Sequence, residues 1–74
     1  MLVNRSNIVR HLERNGFYLC SDGGNHSIYF NGLLMVPLKH RSRFDSITAN
    51  RICKQAEIEE IFKLPRAERI RGLI

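Results

Sequence analysis

At 74 residues the chain has room for one domain. A domain of that size buries only about 60 % of the surface its unfolded form exposes, which excludes a deep cofactor cleft. A hydrophobic content of 43 % excludes disorder, and 12 Lys and Arg against 7 Asp and Glu leave a net charge of +5 that favours a polyanionic partner, nucleic acid being the commonest.

Asn4 to Asn15 reads as a helix. Ile8, Val9 and Leu12 form its apolar stripe, Asn4 or Ser6 caps its start, and Asn15-Gly16 is a stop signal. Phe17 to Cys20 is a short strand and Ser21 to Gly24 a glycine-rich turn. His26 to Phe30 and Leu33 to Leu38 are strands, joined by an Asn31-Gly32 hairpin signal for a type I′ turn. Period two places His26, Ile28 and Phe30 on one face and Ser27 and Tyr29 on the other. Pro37 predicts an edge or a frayed strand. Lys39 to Ser46 is a basic loop. A second helix starts with Thr48 as its cap and Ile47 and Ile52 as a hydrophobic staple, and it buries Ala49, Ile52, Cys53 and Ala56. Ile58, Ile61 and Phe62 continue on a shifted face, predicting a bend near Ala56-Glu57 or a short third helix. The domain is expected over residues 1–64, with a basic tail over 65–74.

The order helix, three antiparallel strands, helix predicts an α+β fold: the α-β-β-β-α sandwich of double-stranded-RNA-binding domains with a short C-terminal helix. Such modules recognise RNA by shape and phosphate contacts. The basic residues agree with that reading. Lys39, Arg41, Arg43, Arg51 and Lys54 face one acid, Asp45, over residues 39–54, and Arg66, Arg69 and Arg71 cluster in the tail. A solvated, charge-rich face is the plainer alternative.

Cys20 and Cys53 are far apart and lack a CxxC or His-rich companion, so no zinc site is expected. Both are expected as reduced thiols in half-buried positions. Asn4, Arg5, Ser6 and Asn7 are polar where a signal peptide needs an apolar core, and no run approaches transmembrane length. A cytoplasmic protein without a membrane partner or cofactor is expected.

Four stretches carry a family resemblance: Asn15-Gly16-Phe17, Gly24-Asn25-His26 with Ile28-Tyr29, Val36-Pro37, and Ile52-Cys53-Lys54-Gln55-Ala56. In combination and spacing they resemble the HicA toxins of bacterial type II toxin–antitoxin systems, over about residues 8–62. The resemblance implies the double-stranded-RNA-binding-like sandwich and an mRNA interferase that arrests translation and growth. It also implies a HicB-type antitoxin that binds the toxin and covers its histidine, which here is His26. Two residues depart from the family pattern: Asn25 stands where serine is usual, and Glu57 follows Lys54-Gln55-Ala56 where glycine is usual.

RNA can be cleaved without a metal because its 2′-hydroxyl is an internal nucleophile. The reaction needs a base for the 2′ proton, cations at the phosphate, and an acid for the leaving 5′ oxygen. Imidazole suits the first and third tasks. His26 is therefore the candidate catalyst, and Lys39, Arg41 and Arg43 are candidates for holding the phosphate. Gly24 lets the backbone approach a phosphate, Asn25 can hydrogen-bond one, and Lys54 extends the basic surface. His40 is a candidate for phosphate binding or for the acid, with a solvated loop residue as the alternative. Tyr29 reads as a packing residue with a wet hydroxyl, and His11 as an exposed helix position. No aromatic platform for stacking bases is evident.

The leading expectation is a toxin endoribonuclease that cleaves mRNA by metal-independent acid–base catalysis and is neutralised by a HicB-type partner. One alternative is a non-catalytic RNA-binding module of the same fold. Another is an interaction protein that docks through Ile58, Ile61, Phe62 and Ile70.

Overall fold

Ile8 and Leu12 lie one helical turn apart, are both fully buried, and mark the seam between the two layers of the fold. The computed structural model describes residues 2–61 of the chain. A short strand β1 (Leu2–Asn4) leads into helix α1 (Arg5–Arg14). Strands β2 (Tyr18–Gly23), β3 (His26–Phe30), β4 (Met35–Lys39) and β5 (Arg43–Asp45) follow, then helix α2 (Ser46–Gln55). β2, β3 and β4 form an antiparallel meander with β3 in the centre, while β1 and β5 pair antiparallel in a separate ladder. The protein is thus a small α+β domain with a three-stranded antiparallel sheet and two helices.

Period two sorts the sheet into two faces. Ser27 and Tyr29 of β3 and Val36 and Leu38 of β4 are buried, and all but Ser27 join one core cluster with Ile8, Leu12, Phe17, Phe44, Ala49, Ile52 and Ala56. His26, Ile28 and Phe30 occupy the open face, opposite exposed Lys39, Pro37 and Met35. The division of β3 into these two faces agrees with the sequence pattern. Pro37 sits mid-strand on β4, an edge strand, as its missing N–H demands.

Several local expectations are corrected. β2 runs on through Ser21, Asp22 and Gly23, leaving only Gly24-Asn25 between it and β3. Asn31-Gly32 does not make a two-residue turn: Phe30 pairs with Met35 across four intervening residues. The Asn31 side chain accepts from the backbone N–H groups of Leu33 and Leu34, and Gly32 takes φ +96°. The basic loop contains β5. Asp45 rather than Thr48 caps α2, its carboxylate accepting from the Thr48 N–H at 3.3 Å and from the Thr48 hydroxyl. The cap therefore falls three residues earlier, which leaves Ile47 64 % exposed and outside any staple. Cys20 is exposed and Cys53 buried, both free thiols, and burial pushes the Cys53 thiol up.

Both helices end the same way. After α1, Gly16 takes φ +88°, its N–H bonds the Glu13 carbonyl, and the Phe17 N–H reaches back to Leu12. After α2, Glu57 takes φ +58°, its N–H bonds the Lys54 carbonyl, and the Ile58 N–H reaches Cys53. These are Schellman caps, one built on glycine and one on glutamate. The predicted bend at Ala56-Glu57 is this cap. Residues 58–61 are not helical. Phe62 and the tail over 65–74 lie outside the described residues.

Candidate functional site

Several of the candidate side chains gather at one end of the meander, where β3 begins and β4 ends. The Gly24-Asn25 turn, with Gly24 at φ +61°, delivers His26 as the first residue of β3. Antiparallel register sets Lys39 directly across from it. His26, Lys39 and Arg41 line a cleft of about 300 Å³ with Pro37, Phe44, Thr48 and Ile52. The catalytic candidate and two of the predicted phosphate ligands therefore share one depression. The three ring-nitrogen contacts among the described residues involve His11 and His40, so among these residues no partner orients the His26 ring.

A larger cleft of about 560 Å³ adjoins it and also includes Arg41. Arg5, Leu19, Asp22, Ser27, Tyr29, His40 and Ser42 complete its wall. A polar network crosses its floor. The Arg5 guanidinium donates to Ser27 Oγ at 2.8 Å and, through Nε, to the Lys39 carbonyl at 3.1 Å. Ser27, only 2 % exposed, donates to Asp22 Oδ1 at 2.8 Å. His40 Nε2 lies 2.9 Å from Asp22 Oδ1 and 3.0 Å from Ser27 Oγ. Hydrogen bonds from Ser27 and then His40 hold the Asp22 carboxyl below its ordinary range.

A β-bulge builds this network. Tyr18 pairs with Phe30 and Leu19 with Tyr29, but Ser21 pairs with Ile28, leaving Cys20 as the extra residue. Strict alternation from Tyr18 would send Asp22 to the open face. The bulge shifts the phase by one residue, so Asp22 pairs with Ser27 and shares its face.

Other candidates fall elsewhere. Gly24 and Asn25 shape the turn before His26. Arg43 lies on β5 opposite Asn4 and lines neither cleft, and Lys54 lines a separate depression with Ile47, Asn50, Arg51, Ile58 and Glu60. Tyr29 is buried, as a packing residue should be, and also borders the larger cleft. His11 is not simply exposed: its Nε2–H donates to the Glu59 carbonyl at 2.6 Å, tying the chain after α2 to α1. Tyr18 and Phe30 make an edge-to-face pair on the open face, ring centroids 6.0 Å apart, at the end of β3 away from His26. Arg5, Asp22 and Ser27 carry no site signal in the sequence beyond the period-two pattern that puts Ser27 on one face with Tyr29.

Among the described residues no group of three or more His, Cys, Asp or Glu side chains gathers to hold a metal, and no helix is long and apolar enough to cross a membrane. No family model, characterised protein or solved structure matches the chain.

Proposed function

We propose that the protein is an endoribonuclease that cleaves mRNA, with His26 as a proton-transfer group and Lys39 and Arg41 holding the scissile phosphate. The single observation that carries this reading is the shared cleft of His26, Lys39 and Arg41 at the mouth of a glycine turn. In that setting a phosphate would meet two cations and one imidazole, two of the three kinds of group that the reaction needs. The element order over α1, the meander and α2 supports a double-stranded-RNA-binding-like sandwich. The resemblance to HicA toxins supplies the biological reading: a growth-inhibiting toxin, cytoplasmic and held in check by a HicB-type antitoxin.

The test is induced expression of the parent and of His26→Ala in a bacterial host, following growth and the integrity of several mRNAs. The parent should arrest growth and cut mRNA; the variant should be folded and harmless. A correctly placed imidazole is worth about 10²–10⁴-fold in rate, so residual cleavage by the variant should be slower by that order. Equal cleavage by both would remove His26 from the chemistry. One observation favours a second reading, the non-catalytic RNA-binding module: no hydrogen bond from the described residues orients the His26 ring. A soluble, folded parent that binds RNA and never cuts it would select that alternative.

A further inference from the structure

The larger cleft holds a histidine, His40, whose ring is hydrogen-bonded to Asp22 and Ser27. Donor accounting fixes its tautomer. The single proton of the Ser27 hydroxyl points at Asp22 Oδ1, and Asp22 is an acceptor, so the proton in the His40 contacts sits on Nε2. Ser27 Oγ accepts from Arg5 and faces His40 Nε2 with its other lone pair. Nδ1 of His40 is thereby left as the exchanging nitrogen, on a side chain 43 % exposed. This is the logic of a carboxylate-oriented imidazole: one nitrogen is held and the other works. Ser27 is no nucleophile here, because it is buried, its proton is committed to Asp22, and the same Nε2 faces both partners.

We propose that His40 is the second catalytic residue of the RNA cleavage suggested above, acting through Nδ1 as the acid for the leaving 5′ oxygen, with Asp22 and Ser27 as its positioning residues. The proposal rests on the endoribonuclease reading. His40 follows Lys39, the cross-strand partner of His26, and Arg41 lines both clefts. Arg41 is thus the residue shared by the cleft that His26 lines and the cleft that His40 lines. His26 takes the 2′ proton, the 2′-O–P bond forms, the P–O5′ bond breaks, and protonated His40 gives its Nδ1 proton to O5′. The products are a 2′,3′-cyclic phosphate and a 5′-hydroxyl, with no water or other reactant consumed.

The experiment compares an ordinary RNA with one carrying a bridging 5′ sulfur at the linkage the parent cuts. Thiolate leaves without protonation, so the sulfur substrate bypasses the acid and not the base. His40→Ala should lose about 10²–10⁴-fold in kcat on the oxygen substrate and return to within about tenfold of the parent on the sulfur one. His26→Ala should stay slow on both. Asp22→Asn, which keeps an acceptor toward Nε2–H, should lower kcat on the oxygen substrate with KM unmoved and be rescued by sulfur; it carries the test if His40→Ala fails to fold. Parental kcat in His40→Ala, or a loss that sulfur does not rescue, overturns the assignment and leaves the endoribonuclease reading standing. A parent that cuts no RNA takes down both.

Discussion

Two helices of this protein end in the same hydrogen-bond pattern, but one places glycine and the other glutamate in the left-handed position. Glu57 sits at φ +58° and is exposed, so its side chain gains no burial there. Holding an L-residue in that region costs roughly 1–2 kcal/mol relative to the right-handed conformation. Glycine removes that cost but frees the unfolded chain, returning about 0.4–1 kcal/mol. Glu57→Gly should therefore stabilise the domain by about 0.5–1 kcal/mol, a rise of several degrees in Tm, since 1 kcal/mol is worth about 4–8 °C at 60–100 residues. Gly16→Ala is the reciprocal change at φ +88°. A Cβ there would meet nothing within 4 Å, so the cost is conformational alone and of the opposite sign. Urea unfolding followed by far-ultraviolet circular dichroism reads both, with unchanged m-values as the check that only stability moved. A Glu57→Gly variant no more stable than the parent, beside a destabilised Gly16→Ala, would refute the claim that Glu57 holds a relaxable strain.

Acid should weaken the fold through two carboxylates. Ser27 and His40 hold the Asp22 carboxyl low, and Thr48 does the same for Asp45 at the α2 cap. A lowered folded-state value means stabilisation present above the unfolded carboxylate range and lost as pH falls through the folded one, so Tm should drop below about pH 4, and less in Asp22→Asn than in the parent. A melting temperature level down to pH 2 would contradict this. RNA affinity, measured in the His26→Ala background to prevent cleavage, should fall with salt at a log–log slope of about −0.7 per phosphate contacted. Arg41→Ala should make that slope shallower by about 0.7, whereas Lys54→Ala, outside both clefts, should leave it alone. The reverse ranking would place the phosphate track elsewhere.

The parts of the fold legible in the sequence are those with local periodicity. Ile8 and Leu12 announced α1, the alternation through His26, Ser27, Ile28 and Tyr29 announced β3 and its two faces, and Pro37 announced an edge. The misread parts depend on context. Asp45 and Thr48 are both good cap residues three positions apart, and the choice follows from β5, whose last residue, Asp45, is paired with Leu2 and leads directly into the helix. β5 is three residues long and visible only through its pairing with Leu2–Asn4, some 40 positions away. Asn31-Gly32 carries the composition of a two-residue turn, but the Asn31 carboxamide makes its own turn by binding two backbone N–H groups. The cleft network was hidden for the same kind of reason. Arg5, Asp22, Ser27 and His40 share no spacing, and the bulge at Cys20 that turns Asp22 toward Ser27 has no signature in composition.

The β1–β5 ladder gives the candidate site its shape. Arg5 is the residue immediately after β1, and residues 40–42 immediately precede β5. Pairing Leu2 with Asp45, Val3 with Phe44 and Asn4 with Arg43 brings these two segments together, and the Arg5 N–H closes on the Ser42 carbonyl at 2.8 Å. Phe44, 2 % exposed, anchors the ladder in the core, and Val3 packs beside it. The segment bearing His40 and Arg41 is therefore held from both ends, by β4 before it and by β5 after it. Arg5 reaches across to the Lys39 carbonyl and to Ser27, fastening the helix start to the sheet end. Three residues of hidden strand turn a basic loop, which would otherwise present charges to water, into the common wall of two clefts. In a domain this small only Ser27 of the network is buried, and paired backbone does the rest of the work of keeping His40, Arg41 and Arg5 in one arrangement.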